Sequence, residues 1–77
     1  MNTVQILLNT IEKVKSFNRD ILFFDSEIDL VQGRYVVDWK SIMGIFSLNL
    51  SEPINVTIHE ENGEGEKVLE ALKPYTV

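Results

Sequence analysis

Seventy-seven residues make one small domain, 1–77, with no room for a second. The chain has no cysteine, which excludes disulfides and thiolate metal sites. Seven basic against twelve acidic residues leave a net charge of -5, a poor match to a nucleic-acid backbone. The 44% apolar content argues for a folded core. A chain this short buries only about 60% of its unfolded surface, so its stability is expected to be modest. No apolar run approaches the roughly 18 residues of a membrane span. The start MNTVQILLNT lacks a basic n-region and a small-residue cleavage site, so a secretory signal is not expected. The composition points to an acidic, soluble, intracellular domain.

The stretch 3–9 reads TVQILLN, and Val4, Ile6 and Leu8 alternate as in a strand with one buried face. Thr10 then fits a helix N-cap, and Ile11, Val14, Phe17, Ile21 and Phe24 form one stripe at helical spacing. This predicts a helix over about 10–24, with a soft end where ILFF (21–24) cannot all share one face. Residues 28–31 and 34–38 flank Gln32-Gly33, and Gly33 can take positive φ, which predicts a two-residue hairpin. Ser41 fits an N-cap before IMGIFSL, a segment long enough for at most two helical turns. Ile54, Val56 and Ile58 alternate with Asn55, Thr57 and His59, giving a fourth strand with one wet face. EENGEG (60–65) reads as a polar loop. Val68, Leu69 and Leu72 then mark a last helix over 66–73, stopped by Pro74. The order β-α-β-β-α-β-α in so few residues suits an α+β domain: a four-stranded antiparallel sheet with three helices on one face.

Catalytic chemistry finds little support. His59 is the sole imidazole and lies on the polar phase of a strand, where it reads as a solvated surface residue. Glu60, Glu61, Glu64 and Glu66 lack the alternating ligands of a calcium loop and read as a solvated charge run. No base is spaced to activate Ser41 or Ser47, and the four glycines make no phosphate cradle. We therefore expect no metal, no cofactor and no enzyme.

The informative segment is 40–50. If Ile45 and Leu48 face inward at i, i+3, then Ile42, Met43 and Phe46 point elsewhere. Exposed apolar residues on a soluble domain mark a partner surface, protein or second copy. The bland alternative is a helix sunk deeper into its own monomer.

Lys40-Ser41-Ile42-Met43-Gly44-Ile45-Phe46-Ser47-Leu48 resembles the regulatory-serine motif of HPr, the histidine-containing phosphocarrier family of the bacterial phosphoenolpyruvate-dependent sugar phosphotransferase system. The resemblance is strongest over 40–58, looser over the hairpin at 28–39 and faint before it; Val68 to Leu72 resembles the start of the family's last helix. It implies an HPr-like open-faced β-sandwich, in the element order already read from the residues. It also implies a cytoplasmic bacterial protein.

The family carries phosphate on a histidine after the first strand, in a Gly-x-His-x-Arg-Pro context. The matching stretch here is Leu7-Leu8-Asn9-Thr10-Ile11-Glu12-Lys13, with Asn9 or Thr10 nearest the histidine's place. It holds no histidine, arginine or proline, so this is a degenerate phosphocarrier loop. What the resemblance retains is Ser41, matching a serine that a dedicated kinase phosphorylates in many relatives, beside a patch that docks partners. The resulting expectation is a non-catalytic interaction module. It docks a protein through Ile42, Met43 and Phe46, with Ser41 as a candidate regulatory phosphorylation site. A serine kinase or a transcriptional regulator is the expected kind of partner. The alternative is a phosphocarrier with an atypical acceptor at Thr10 or His59. A third reading is a fold relic whose patch has no partner.

Overall fold

A computed structural model describes residues 3–60 and 62–77; Met1 and Asn2 of the leader reading and Glu61 of the acidic run lie outside them. The chain runs β1 (Thr3–Ile6), α1 (Ile11–Ile21), β2 (Glu27–Gln32), β3 (Tyr35–Asp38), α2 (Ile42–Phe46), β4 (Ile54–Glu60) and α3 (Gly65–Leu72), and a short 3-10 turn, Lys73–Tyr75, follows. The strands form one sheet in the order β1-β4-β2-β3, and every neighbouring pair is antiparallel. The expected α+β, open-faced sandwich is present, helices on one face and the other face bare.

Alternation builds the sheet. Ile54, Val56 and Ile58 are buried while His59 stays exposed, as period-2 patterning demands. Ile28 and Leu30 of β2 and Ile6 of β1 join the same core face. From the helices, Val14, Phe17 and Ile21 of α1 and Val68 and Leu72 of α3 close over it. Each such Ile or Phe contributes about 1.5–3 kcal/mol by leaving water. Trp39 is buried at the centre, edge-on to Phe17 with ring centroids 6.3 Å apart.

Four boundaries differ from the sequence reading. The first strand stops at Ile6 and not Asn9, because Leu7 leaves β4 and its N–H donates to the Tyr75 carbonyl at 2.8 Å. The first helix stops at Ile21, not 24. Of ILFF, Ile21 is buried, Leu22 and Phe23 are exposed, and Phe24 folds back onto Trp39 with centroids 6.0 Å apart. The hairpin turn is Gly33-Arg34, one residue later than expected: Gln32 pairs with Tyr35, and Gly33 takes φ 60° at the first central position. Positive φ at that position alone is the sign pattern of a II′ turn, which suits glycine. Finally, Pro74 does not stop the last helix dead; it sits inside the 3-10 turn that carries Tyr75 into the core.

Candidate functional site

Both candidate serine/threonine positions are N-caps. Thr10 has extended backbone, and its Oγ1 accepts a hydrogen bond from the Lys13 N–H at 3.1 Å. Ser41 does the same for α2, its Oγ accepting from the Gly44 N–H at 3.1 Å. The approach to Ser41 is built by Asp38. Its Oδ2 accepts from the Lys40 N–H at 2.9 Å, and its carbonyl accepts from the Ser41 N–H at 3.0 Å. The strand β3 is thereby turned sharply into the helix, with Ser41 on the surface.

The two faces of α2 separate as the i, i+3 spacing predicts. Ile45 is fully buried and Leu48 nearly so, whereas Ile42, Met43 and Phe46 are 39%, 81% and 47% exposed. Gly44 lies against Val37 of β3, which seats the helix on the sheet. The deeper-sunk alternative is therefore not the arrangement found. Ile11, assigned to the buried stripe of α1, is instead exposed beside Thr10. It sits in the first turn, ahead of the point where α1 settles on the core. Asn9 and Thr10 are exposed too. No hydrogen bond or ion pair among the described residues joins them to α2.

His59 stands apart, on the helix-free face of β4. It is not simply solvated: Nε2 lies 2.8 Å from Asp29 Oδ2 of β2. This pairing was not readable from sequence, since only the sheet register brings residues 29 and 59 together.

The acidic run also needs correction. Glu64 is not a free surface charge. One oxygen, Oε1, accepts from the N–H groups of Asp25 and Ser26 at 2.8 and 3.0 Å and from the Ser26 hydroxyl at 2.8 Å. The Ser26 hydroxyl chiefly, then those two amides and the nearby Lys40 ammonium, holds the Glu64 carboxyl below the usual carboxylate range, against a smaller upward pull from desolvation. Asn62, in the left-handed region at φ 52°, donates from Nδ2 to the Asp25 carbonyl at 2.6 Å. Lys40 Nζ donates to the carbonyl of Phe24. The loop before α3 is thus a clamp on residues 24–26. No group of three or more potential metal ligands exists among the described residues.

An open cleft of about 550 Å³ lies beside the β2–β3 turn, lined by Gln5, Gln32, Gly33, Arg34, Tyr35, Glu52 and Pro53. None of the candidate residues lines it. Gln32 there is structural, its side chain bonding the Asn49 carbonyl and N–H at 2.8 and 2.7 Å to pin the loop before β4.

Comparison with known proteins agrees with this architecture. The crystal structure of HPr-C-His from Thermoanaerobacter tengcongensis is similar at a TM-score of 0.77 and 25% identity, over 96% of this chain and 89% of that one. The phosphocarrier protein HPr of Bacillus anthracis str. Ames is similar at a TM-score of 0.75 and 28% identity, over 99% of this chain and 94% of that one. No curated protein matches. The family model for the PTS HPr component phosphorylation site matches residues 12–76. With most of its length inside that match and the same sheet and helices as two HPr proteins, the chain belongs to the PTS HPr family.

Proposed function

We propose that this chain is a regulatory HPr-like module that does no phosphotransfer through a histidine. It docks a cytoplasmic protein partner through Ile42, Met43 and Phe46, with Ser41 as a phosphorylation switch. The observation that carries this reading is the split of α2: two apolar residues seal the core while three stay exposed on a short helix. Such a surface has roughly 25 cal/mol per Å² to gain when a partner covers it. A serine kinase or a transcriptional regulator is the kind of partner the family likeness favours.

The loop after β1 supports the same reading. The family likeness puts the histidine's place nearest Asn9 or Thr10, and of these Thr10 spends its hydroxyl oxygen on capping α1. A threonine hydroxyl forms a stable phosphate ester, not the labile phosphoramidate that an imidazole nitrogen gives. At Ser41, the cap contact uses the hydroxyl as an acceptor, and the side chain is exposed. A phosphate there adds about two negative charges beside Ile42. That disfavours an acidic or apolar partner surface and favours a basic one.

Two measurements test this. Capture from the native host should recover a partner with the wild-type chain and lose it with Phe46→Glu. Incubation with phosphoenolpyruvate and the general phosphotransferase enzyme should leave the intact mass unchanged. An acid-labile phosphate on His59, which is half-exposed and oriented by Asp29, would replace this reading with the atypical phosphocarrier.

A further inference from the structure

The sheet ends in two unequal edges. At the β1 edge the chain's own C-terminus closes the ladder. Leu7 N–H donates to the Tyr75 carbonyl at 2.8 Å, Val77 N–H to the Gln5 carbonyl at 3.1 Å, and Ile6 bridges Thr76. The β3 edge has no such cover among the described residues.

The phase of β3 fixes what that edge offers. Gln32 and Tyr35 close a two-residue turn and so form a hydrogen-bonded pair, after which bonded and non-bonded pairs alternate. The Trp39 N–H donating to the Ile28 carbonyl at 3.1 Å keeps the same phase at the far end. Val36 therefore turns both its N–H and its C=O away from β2. Asp38 turns its N–H outward as well. Edges are normally blunted by short length, charged side chains, proline, a bulge or a covering loop. β3 has four residues and one charge, Asp38, but no lysine, proline or bulge, and it exposes Tyr35 and Val36.

We propose that this edge pairs with the same edge of a second copy of the chain, antiparallel and centred on Val36. The sequence is self-complementary about that residue: Val36 meets Val36, Tyr35 meets Val37, and Arg34 meets Asp38. Neither Arg34 nor Asp38 is in an ion pair among the described residues. Asp38 in fact stands directly opposite Asp29, a like-charge pairing that an incoming arginine relieves. Two-fold symmetry makes the Arg34–Asp38 pair twice. Charge selects this register over its neighbours. Centring on Val37 sets Arg34 against Lys40, and centring on Tyr35 leaves Arg34 facing Val36. The chosen register joins two sheets into one of eight strands with the helices on a common face. Tyr35 of one copy then lies beside Val37 of the other, on which α2 rests.

The test is sedimentation of the whole chain over a concentration series up to millimolar, with amide hydrogen exchange at Val36. The expected result is a reversible dimer whose formation protects the Val36 amide. R34D and D38R should each weaken self-association about tenfold or more, because two attractive pairs become repulsive. An equimolar mixture of the two should form a heterodimer as strong as the wild type, since both contacts are then complementary again. Asp38 also caps the Lys40 amide. Should D38R fail to fold, R34D and V36P decide alone: V36P removes an outward N–H that the monomer ladder does not use, so it should fold and stay monomeric. A monomer at millimolar concentration, a dimer indifferent to R34D or V36P, or a dimer without protection at Val36 overturns the proposal.

Discussion

A Cβ placed on Gly44 would stand 2.9 Å from the Cβ of Val37 and 3.1 Å from the Oγ of Ser41. The atom it meets on β3 is fixed to the backbone, so no rotamer change relieves the contact. Alanine in place of a helical glycine ordinarily gains up to about 1 kcal/mol. Overpacking of this kind costs about 1–3 kcal/mol. Gly44→Ala is therefore expected to destabilise the domain by up to about 2 kcal/mol in urea unfolding. Adding Val37→Ala should rescue it only in part, because that change removes the Cγ1 met at 3.2 Å but keeps the Cβ met at 2.9 Å. A variant as stable as the wild type would mean that α2 can lift from β3 without cost.

Local patterns were legible and distant partnerships were not. Strand β4 was plain because alternate residues are apolar, and Ser41 because a capping residue precedes a short apolar run. Spacing separates Ile45 and Leu48 from Ile42, Met43 and Phe46, but only the fold shows that the second set stays exposed and the helix is not sunk deeper. The end of α1 was not legible: four apolar residues in a row give no period, and the outcome depends on Trp39 receiving Phe24. Phe23, left 88% exposed by that arrangement, carries no mark in the sequence. Glu64 is hidden in the sequence for the same reason. It looks like its acidic neighbours until the fold brings Ser26 to it.

Glu64 makes a pH-dependent contribution whose sign follows from its lowered carboxyl. The folded state favours the ionised form, so this stabilisation is present above the ordinary carboxylate pKa and fades as pH falls through the folded value. Glu64→Gln should be less stable than the wild type at neutral pH. The gap between them should close as urea titrations are repeated at progressively more acidic pH. A gap that stays constant down to acid would show that charge plays no part in the clamp.

Tyr75 anchors the C-terminal turn against α1. Its ring meets Phe17 edge-on at 5.6 Å, and its hydroxyl lies 2.7 Å from both Ser16 Oγ and Asp20 Oδ2. The carboxylate can only accept, so the tyrosine proton goes to Asp20 and the Ser16 hydroxyl donates in turn. Tyr75→Phe should cost about 1 kcal/mol, the net worth of such a bond with its partners left partly hydrated. Desolvation first, and the Asp20 charge with it, raises the phenol above its ordinary value of 10. The wild type thus has full benefit below that value and loses it as pH rises through the higher folded value. The phenylalanine variant should lack this alkaline loss, which denaturation above pH 10 would reveal.

Ser41 has a structural role that must be separated from any regulatory one. As an N-cap it satisfies the Gly44 amide, and Ser41→Ala should cost about 0.5–2 kcal/mol. Aspartate is an equally good cap, so Ser41→Asp should retain most of that stability while placing a negative charge beside Ile42. Phe46→Glu, at a half-exposed position, should also fold, whereas Ile45→Glu buries an unpaired charge and should not. These four variants distinguish packing from recognition. If α2 is a docking surface under charge control, the captured partner persists with Ser41→Ala, despite its lower stability, and is lost with Phe46→Glu; Ser41→Asp, near wild-type in stability, loses an acidic or apolar partner and strengthens a basic one. If capture instead tracks stability across the series, Ser41 acts only by holding the helix together.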